Sequence, residues 1–344
     1  MTGAPSSRTT SIQRAAPGWQ ITFAFMIVYV VWGSTYLTIR YSIATIPPFF
    51  MAGARFLAAG GLMYAWCRLR GAAPPTAREW RATLIVGTLL LVFGNGGVTW
   101  AEQRISSGMA ALLVATEPLW LVGLAWATRM TGRPTWLQFL GIALGLAGVA
   151  FLMWPAGHVS DQGGILFSAA VVLVAACSWA AGSLYAPRAP LPSNRSLATG
   201  MQMLTGGVLL AIVGVATGET RQLHLAHVTT ASLVGLAYLT VFGSLVAFSA
   251  YSWLLDKATP ARLSTYAYVN PMIAVLLGWL VAGEPLGVRA LGSMVLIVVA
   301  VILLTLPRQA FQRRPSAARA SSAAASEAGN NSSLGQRALN ASGS

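Results

Sequence analysis

Ten times along this chain the sequence runs for about twenty residues with almost no charge. No other feature constrains the fold as strongly. The runs cover residues 19–39, 48–67, 82–101, 107–128, 135–154, 163–185, 196–217, 231–255, 263–282 and 286–306. A bilayer core of about 30 Å needs about 20 apolar residues per helix, because water is absent there and every backbone group must be satisfied internally. Strand-like alternation of apolar and polar residues does not occur, which argues against a barrel. The expected class is an all-α membrane protein with ten transmembrane helices. Only 9% of the residues are charged, against about a quarter in soluble domains.

A net charge of +14 raises nucleic acid as a partner. The distribution argues against it: the basic residues sit singly in short loops, with no stripe interleaved with aromatics. Topology accounts for them better. With the N-terminus inside, only Arg40, Arg104, Arg221 and Arg289 fall outside and Arg55 falls within a span; the other seventeen of the 22 Lys and Arg fall inside. Both termini are therefore expected in the cytoplasm. Residues 1–18 read as a cytoplasmic segment before a retained signal anchor, since the first apolar run is too long for a signal-peptide core. Residues 307–344, rich in Ser, Ala and Arg, read as a disordered cytoplasmic tail. Cys67 and Cys177 fall at different depths, so no disulfide framework is implied.

The ten spans divide into two fives, 19–154 and 163–306. "RFLAAGGLM" from Arg55 matches "QMLTGGVLL" from Gln202. "LVFGNGG" around Phe93 matches "TVFGSLV" around Phe242. "LLVATEPLW" matches "TYAYVNPMI", aligning Pro118 with Pro271, and "TGRPTWLQFLG" matches "AGEPLGVRALG". The matches keep their order in both halves. Five is odd, so the second half must sit upside down relative to the first. Inverted repeats of this kind are a transporter architecture, because exchanging the two halves' conformations moves the opening from one side to the other.

Glu117 and Pro118 interrupt the fourth run where both cost most. Glu117 lies about 15 Å from the outer end of its span at 1.5 Å per residue. An ionised carboxylate there costs about 2.5–3.5 kcal/mol or more, so it must face a wet cavity, pair with a cation or hold its proton. Pro118 and Pro271 each lack the N–H of a helical ladder and are expected to break their helices near mid-membrane. Asn270 precedes Pro271 as Glu117 precedes Pro118. Backbone opened at that depth is tolerated only inside protein or beside a water-filled cavity; the competing account is two packing kinks. Arg55, the one cation within a span, either pairs with Glu117, binds an anionic substrate group or snorkels outward.

Trp32 and Tyr36 share a helix face, as do Trp179 and Ser183; these aromatics either pack the core or wall a cavity that stacks on a substrate. Asn95, Thr99 and Gln103, joined by Trp100, form a polar face on the third helix. Tyr251, and Tyr266 with Asn270, do the same on the eighth and ninth. Interhelical hydrogen bonding is the alternative for each. Enzyme chemistry is poorly supported. His224-x-x-His227 lacks further ligands, so no metal site is expected. No phosphate-binding Gly-rich loop with a Lys appears, hence no ATP-driven pump, and no cofactor is expected.

"VWGSTYL", "RFLAAG", "WAEQ", "SGMAALL" and "YVNPMIAVLLG…GEPL" in this order resemble an EamA-type member of the drug/metabolite transporter superfamily, most closely a bacterial inner-membrane one. The resemblance covers nearly all of 19–306. It implies two EamA repeats and export or exchange of small metabolites. It further implies a central cavity lined, here or at its mouths, by Trp32, Tyr36, Asn95, Trp100, Gln103, Glu117, Trp179, Tyr251, Tyr266 and Asn270. Glu117 departs from the family pattern, which has an apolar residue before that proline; Arg133 stands where the second repeat has Glu284. The expected function is a multi-pass secondary transporter in the inner membrane. It would move a small metabolite, an amino acid or a related amphipathic solute, by alternating access, with Glu117 binding an amine or carrying a coupling proton. The alternative is a non-transporting membrane scaffold or a lipid-handling membrane enzyme.

Overall fold

The computed structural model describes residues 17–154, 162–258 and 265–305. The chain divides into two units, Met1–Leu304 and Thr305–Ser344; the description below concerns the first. The expectations for residues 1–16 and 307–344 lie outside the described residues.

Among the described residues the regular structure is helical, without strands. Grouped along the chain, the helices are α1 (Gly18–Ser42), α2 (Pro48–Leu69), α3 (Ala77–Ala101), α4 (Ser107–Ala127), α5 (Trp136–Met153), α6 (Gln162–Tyr185), α7 (Arg195–Ala216), α8 (230–257), α9 (Tyr266–Ala282) and α10 (Val288–Thr305). Six are long and apolar enough to cross a membrane: α1, α3, α4, α6, α7 and Thr230–Tyr251 of α8. Shorter apolar helices cover Trp136–Leu152, Val269–Ala282 and Val288–Leu304. Helix α2 has 22 residues but carries Arg55 and Arg68 among many Gly and Ala, which lowers its hydropathy.

Caps, more than apolarity, decide where these helices begin. Helix α3 starts five residues before its apolar run because Thr76 and Glu79 form a capping box: Thr76 Oγ1 accepts from the Glu79 amide and Glu79 accepts from the Thr76 amide. Thr135 and Gln138 do the same for α5. Ser106, Asn194 and Thr229 cap α4, α7 and α8 through their side-chain oxygens.

The two central prolines behave differently. In α4 the helix stops at Val114, turns through Ala115 and Thr116, and resumes at Glu117. Pro118 then sits in the first turn of the second piece, where no N–H is required. At the turn the carbonyl of Leu113 accepts from the Thr116 amide at 3.1 Å and from Thr116 Oγ1 at 2.7 Å. Pro271, expected to break α9, does not: Tyr266–Ala282 is continuous around it. It lies only five residues beyond the helix start, so its ring removes a single ladder bond and leaves the rest intact.

Helices α3 and α8 each contain a π segment, Thr88–Gly96 and Leu239–Val246. They fall on the matched motifs "LVFGNGG" and "TVFGSLV". Helices α2 and α7 pack antiparallel, with Gly53 against Gly207 and Gly60 against Gly200. A Cβ on Gly60 would stand 2.7 Å from the Leu204 amide nitrogen and 2.8 Å from the Gly200 carbonyl oxygen, so only glycine allows this approach. Helix α1 packs on α8 and α9, and α6 packs on α3 and α4. These pairings exchange among themselves when every helix number is shifted by five. So do the glycine contacts, since Gly53 aligns with Gly200 and Gly60 with Gly207 in the repeat.

Candidate functional site

A cavity of about 100 Å³ lies where α1, α2, α3, α4, α6, α8 and α9 converge. Glu117, Asn270, Trp32, Tyr36, Asn95, Trp179, Tyr266 and Arg55 all line it, although they come from six helices. Thr35 and Phe248 line it as well; both lie one helical turn from an aromatic singled out in the sequence.

Glu117 is 8% exposed and begins the second piece of α4, so the break aims it at the cavity. Tyr266 donates its hydroxyl to Glu117 Oε2 at 3.2 Å. The hydroxyls of Tyr36 and Tyr251 stand within electrostatic reach of the same carboxyl group. An acid in this setting has one protein donor and free capacity on its other oxygen, which suits an ammonium group or a proton.

Two tryptophans wall the cavity from opposite halves, each seated on a π segment. Trp32 donates its indole N–H to the Gly243 carbonyl oxygen at 3.2 Å. It meets Phe248, Tyr251 and Tyr266 with ring centroids 5.2, 5.1 and 5.6 Å away. Gly33, next to it, lets α9 approach so closely that a Cβ would fall 2.7 Å from Ile273 Cβ. In the other half Trp179 lies against Gly94, whose absent Cβ would stand 3.0 Å from the Trp179 ring. Its neighbour Ser178 donates to the Leu89 carbonyl oxygen at 2.8 Å. The widened π turns supply these seats, and Asn95 and Ser244 occupy matched places just beyond Gly94 and Gly243.

Three sequence candidates stand off the cavity. Tyr251 packs in the aromatic cluster behind Trp32 and edge-on to Tyr266 at 5.9 Å. Trp100 turns away to meet Phe167 at 5.8 Å, with the Arg104 guanidinium 5.5 Å from its ring centre. Gln103 is exposed and donates to the Trp100 carbonyl oxygen at 3.0 Å. The predicted i, i+4, i+8 face fails because α3 ends at Ala101, two residues before Gln103. Arg55 is 3% exposed, so it does not snorkel; and among the described residues no carboxylate lies within 4.0 Å of it, so it does not pair with Glu117. Its Nε donates to Ser244 Oγ at 2.8 Å and its guanidinium carbon lies 4.8 Å from the Phe56 ring centre.

At the far end of α1 a second polar cluster closes over α4. Glu284 accepts from the Ser107 amide at 2.9 Å, the Ser107 hydroxyl at 2.8 Å and the Gly108 amide at 3.1 Å, and forms an ion pair with Arg40. It thereby caps the α4 N-terminus, where backbone N–H groups and the helix dipole favour an anion. Glu102 is buried nearby, and among the described residues neither of its carboxylate oxygens finds a hydrogen-bond donor. Glu219 plays the capping part at α2, accepting from the Phe49 and Phe50 amides at 3.1 and 2.9 Å. The sequence marked Glu284 and Glu102 only as motif letters. The partners of Glu284 lie up to 244 residues away in the chain, so no local pattern announces it. No group of three or more metal-ligating side chains occurs among the described residues, and His224 and His227 face each other with centroids 5.6 Å apart.

The profile of the EamA-like transporter family matches residues 19–154 and 166–306. The Escherichia coli protein named "Uncharacterized inner membrane transporter YedA" is 40% identical over 294 residues, covering 85% of this chain and 92% of that one. "Uncharacterized transporter sll0355" of Synechocystis is 26% identical over 285 residues, covering 75% and 81%. A solved crystal structure, 18% identical, superposes with a TM-score of 0.59 over 86% of this chain and 99% of the other, a likeness of fold alone.

Proposed function

Because the chain belongs to the EamA-like transporter family, we propose that it is a secondary transporter that exports or exchanges a small amphipathic metabolite by alternating access. The observation that carries this reading is Glu117: an acid held at a helix break, lining a cavity shared by both halves of the chain. An uncompensated carboxyl at that depth is costly unless a solute, a proton or water meets it. Glu117 takes the amine of the solute or the coupling proton, Asn95 and Asn270 orient polar groups, and Trp32 and Trp179 sandwich an apolar moiety from opposite sides.

The ten helices form two inverted five-helix repeats, both termini in the cytoplasm of a cell whose inner membrane they cross. Three features support this: helix pairings that exchange under a shift of five, paired π segments at matched motifs, and the antiparallel glycine contact of α2 with α7. Rocking of one half against the other about the shared cavity would open it to each side in turn. The excess of basic residues in alternate loops supports the orientation.

The test has two steps. A metabolite panel is screened for ligands that raise the melting temperature of the purified protein, since a solute that binds the folded state stabilises it. Flux of the best ligand is then measured in proteoliposomes across pH. Glu117→Gln is expected to abolish flux or its pH dependence; a variant with full, pH-dependent flux would remove Glu117 from the mechanism.

A further inference from the structure

We infer that Arg55 is the docking point for a carboxylate group on the transported solute, which makes the cavity selective for small organic acids. The inference rests on the cavity being the solute site. Arg55 belongs to α2, but its guanidinium reaches into the π segment of α8. Its Nε donates to Ser244 Oγ at 2.8 Å, and its Nη2 lies 3.1 Å from where a Cβ on Gly243 would be. A larger residue at 243 would displace the head group, so glycine there clears its seat. With Nε anchored, the plane and direction of the fork are fixed. Among the described residues Nη1, by contrast, finds no protein acceptor although the residue is 97% buried, and no carboxylate stands within 4.0 Å.

Charge makes this arrangement unusual. A guanidinium does not give up its proton in a protein. Inside a membrane-spanning bundle such a cation is paired or faces a cavity, and Arg55 lines the cavity. A structural arginine would be expected to have a carboxylate neighbour or a full set of carbonyl acceptors. Among the described residues the fold supplies one hydroxyl and one aromatic ring, Phe56. The missing partner is an anion, and the planar fork matches a carboxylate in a way that a lysine's point charge does not. Trp32, Trp179 and Phe248 on the cavity wall call for an apolar body behind that carboxylate.

Binding to the full-length protein in detergent is read by quenching of intrinsic tryptophan fluorescence, with three probes of one shape: phenylacetate, its neutral amide phenylacetamide, and phenethylamine. The wild-type protein is expected to bind phenylacetate at least tenfold more tightly than phenylacetamide. Arg55→Met is expected to lose that preference while its affinity for the amide changes less than threefold. Arg55→Lys, which keeps the charge without the fork, is expected to weaken phenylacetate at least threefold; it serves alone if the methionine variant does not fold. Equal binding of acid and amide by the wild type, or an acid preference that survives in both variants, overturns the role of Arg55 and leaves the cavity as a solute site. If none of the three probes alters the fluorescence, the cavity is not a solute site and both readings fall.

Discussion

Removing the Glu284 side chain should loosen the end of the bundle where α1, α4 and the α9–α10 connection meet. The carboxylate receives three hydrogen bonds from Ser107 and Gly108 at 2.8–3.1 Å and is 8% exposed. Hydrogen bonds to a charged group contribute about 1.5–3 kcal/mol each when taken singly, and they are not additive. The Arg40 pair adds little, about 0–1 kcal/mol, because Arg40 is 43% exposed and solvent screens it. Glu284→Ala, which strips all acceptors from the α4 N-terminus, should cost about 4 kcal/mol. Glu284→Gln, which keeps one acceptor, should cost about 2 kcal/mol. At about 2–4 °C per kcal/mol for a chain of this class, the alanine variant should melt about 8–16 °C lower in detergent and the glutamine variant about half as far. Burial alone would raise this carboxyl, but the Ser107 and Gly108 amides, the Ser107 hydroxyl and Arg40 together hold it below the ordinary glutamate value. A depressed folded value means the stabilisation is complete above the unfolded value of about 4.3 and is lost as pH falls through the folded one. The gap between wild type and Glu284→Gln should therefore be full at pH 7 and shrink below about pH 4. An alanine variant melting within 2 °C of wild type at pH 7 would refute the reasoning.

Two further outcomes follow from the packing. Gly60→Ala drives a methyl group into the α7 backbone, with 2.7 Å to the Leu204 nitrogen, whereas a Cβ on Gly61 meets nothing nearer than 4.0 Å. Overpacking of this kind costs about 1–3 kcal/mol, so Gly60→Ala should unfold at lower denaturant than wild type while Gly61→Ala unfolds with it; equal behaviour would show that α2 and α7 are not held at that distance. Thr76→Ala removes the capping box of α3 and should cost about 1 kcal/mol, seen as a small drop in melting temperature that Thr76→Ser largely restores.

Much of the fold was legible because lipid allows few solutions. Apolar runs must be helices, and an acid or a proline inside one must be accounted for. Glu117 stood out on that logic, and the helix does break beside it. The same logic misjudged Pro271, since a proline's effect depends on how many ladder bonds lie on its N-terminal side, and α9 begins only five residues earlier. The polar face of α3 was drawn as one continuous helix from Asn95 to Gln103, but the helix ends at Ala101. Gln103 therefore falls on the exposed turn beyond it, and Trp100 packs on Phe167. The repeat motifs carried the π segments in plain sight, as "FGN" and "FGS", but nothing in the letters announces a widened turn. The acids Glu219 and Glu284 act at helix ends, through partners remote in sequence. Their importance is set by packing that no local pattern encodes.

Everything proposed for transport depends on water and solute reaching Glu117 between the two halves. Substituted-cysteine labelling tests that most directly, because a thiol reacts with a membrane-impermeant methanethiosulfonate only where water ionises it. In a background carrying Cys67→Ser and Cys177→Ser, Val114→Cys places a thiol on the cavity wall, and Val174→Cys places one on the lipid-facing side of α6, where Val174 is 63% exposed. The account predicts that the cavity thiol reacts at least tenfold faster than the lipid-facing one in intact membranes and is protected by a bound ligand; a cavity thiol as inert as the lipid-facing one would contradict it.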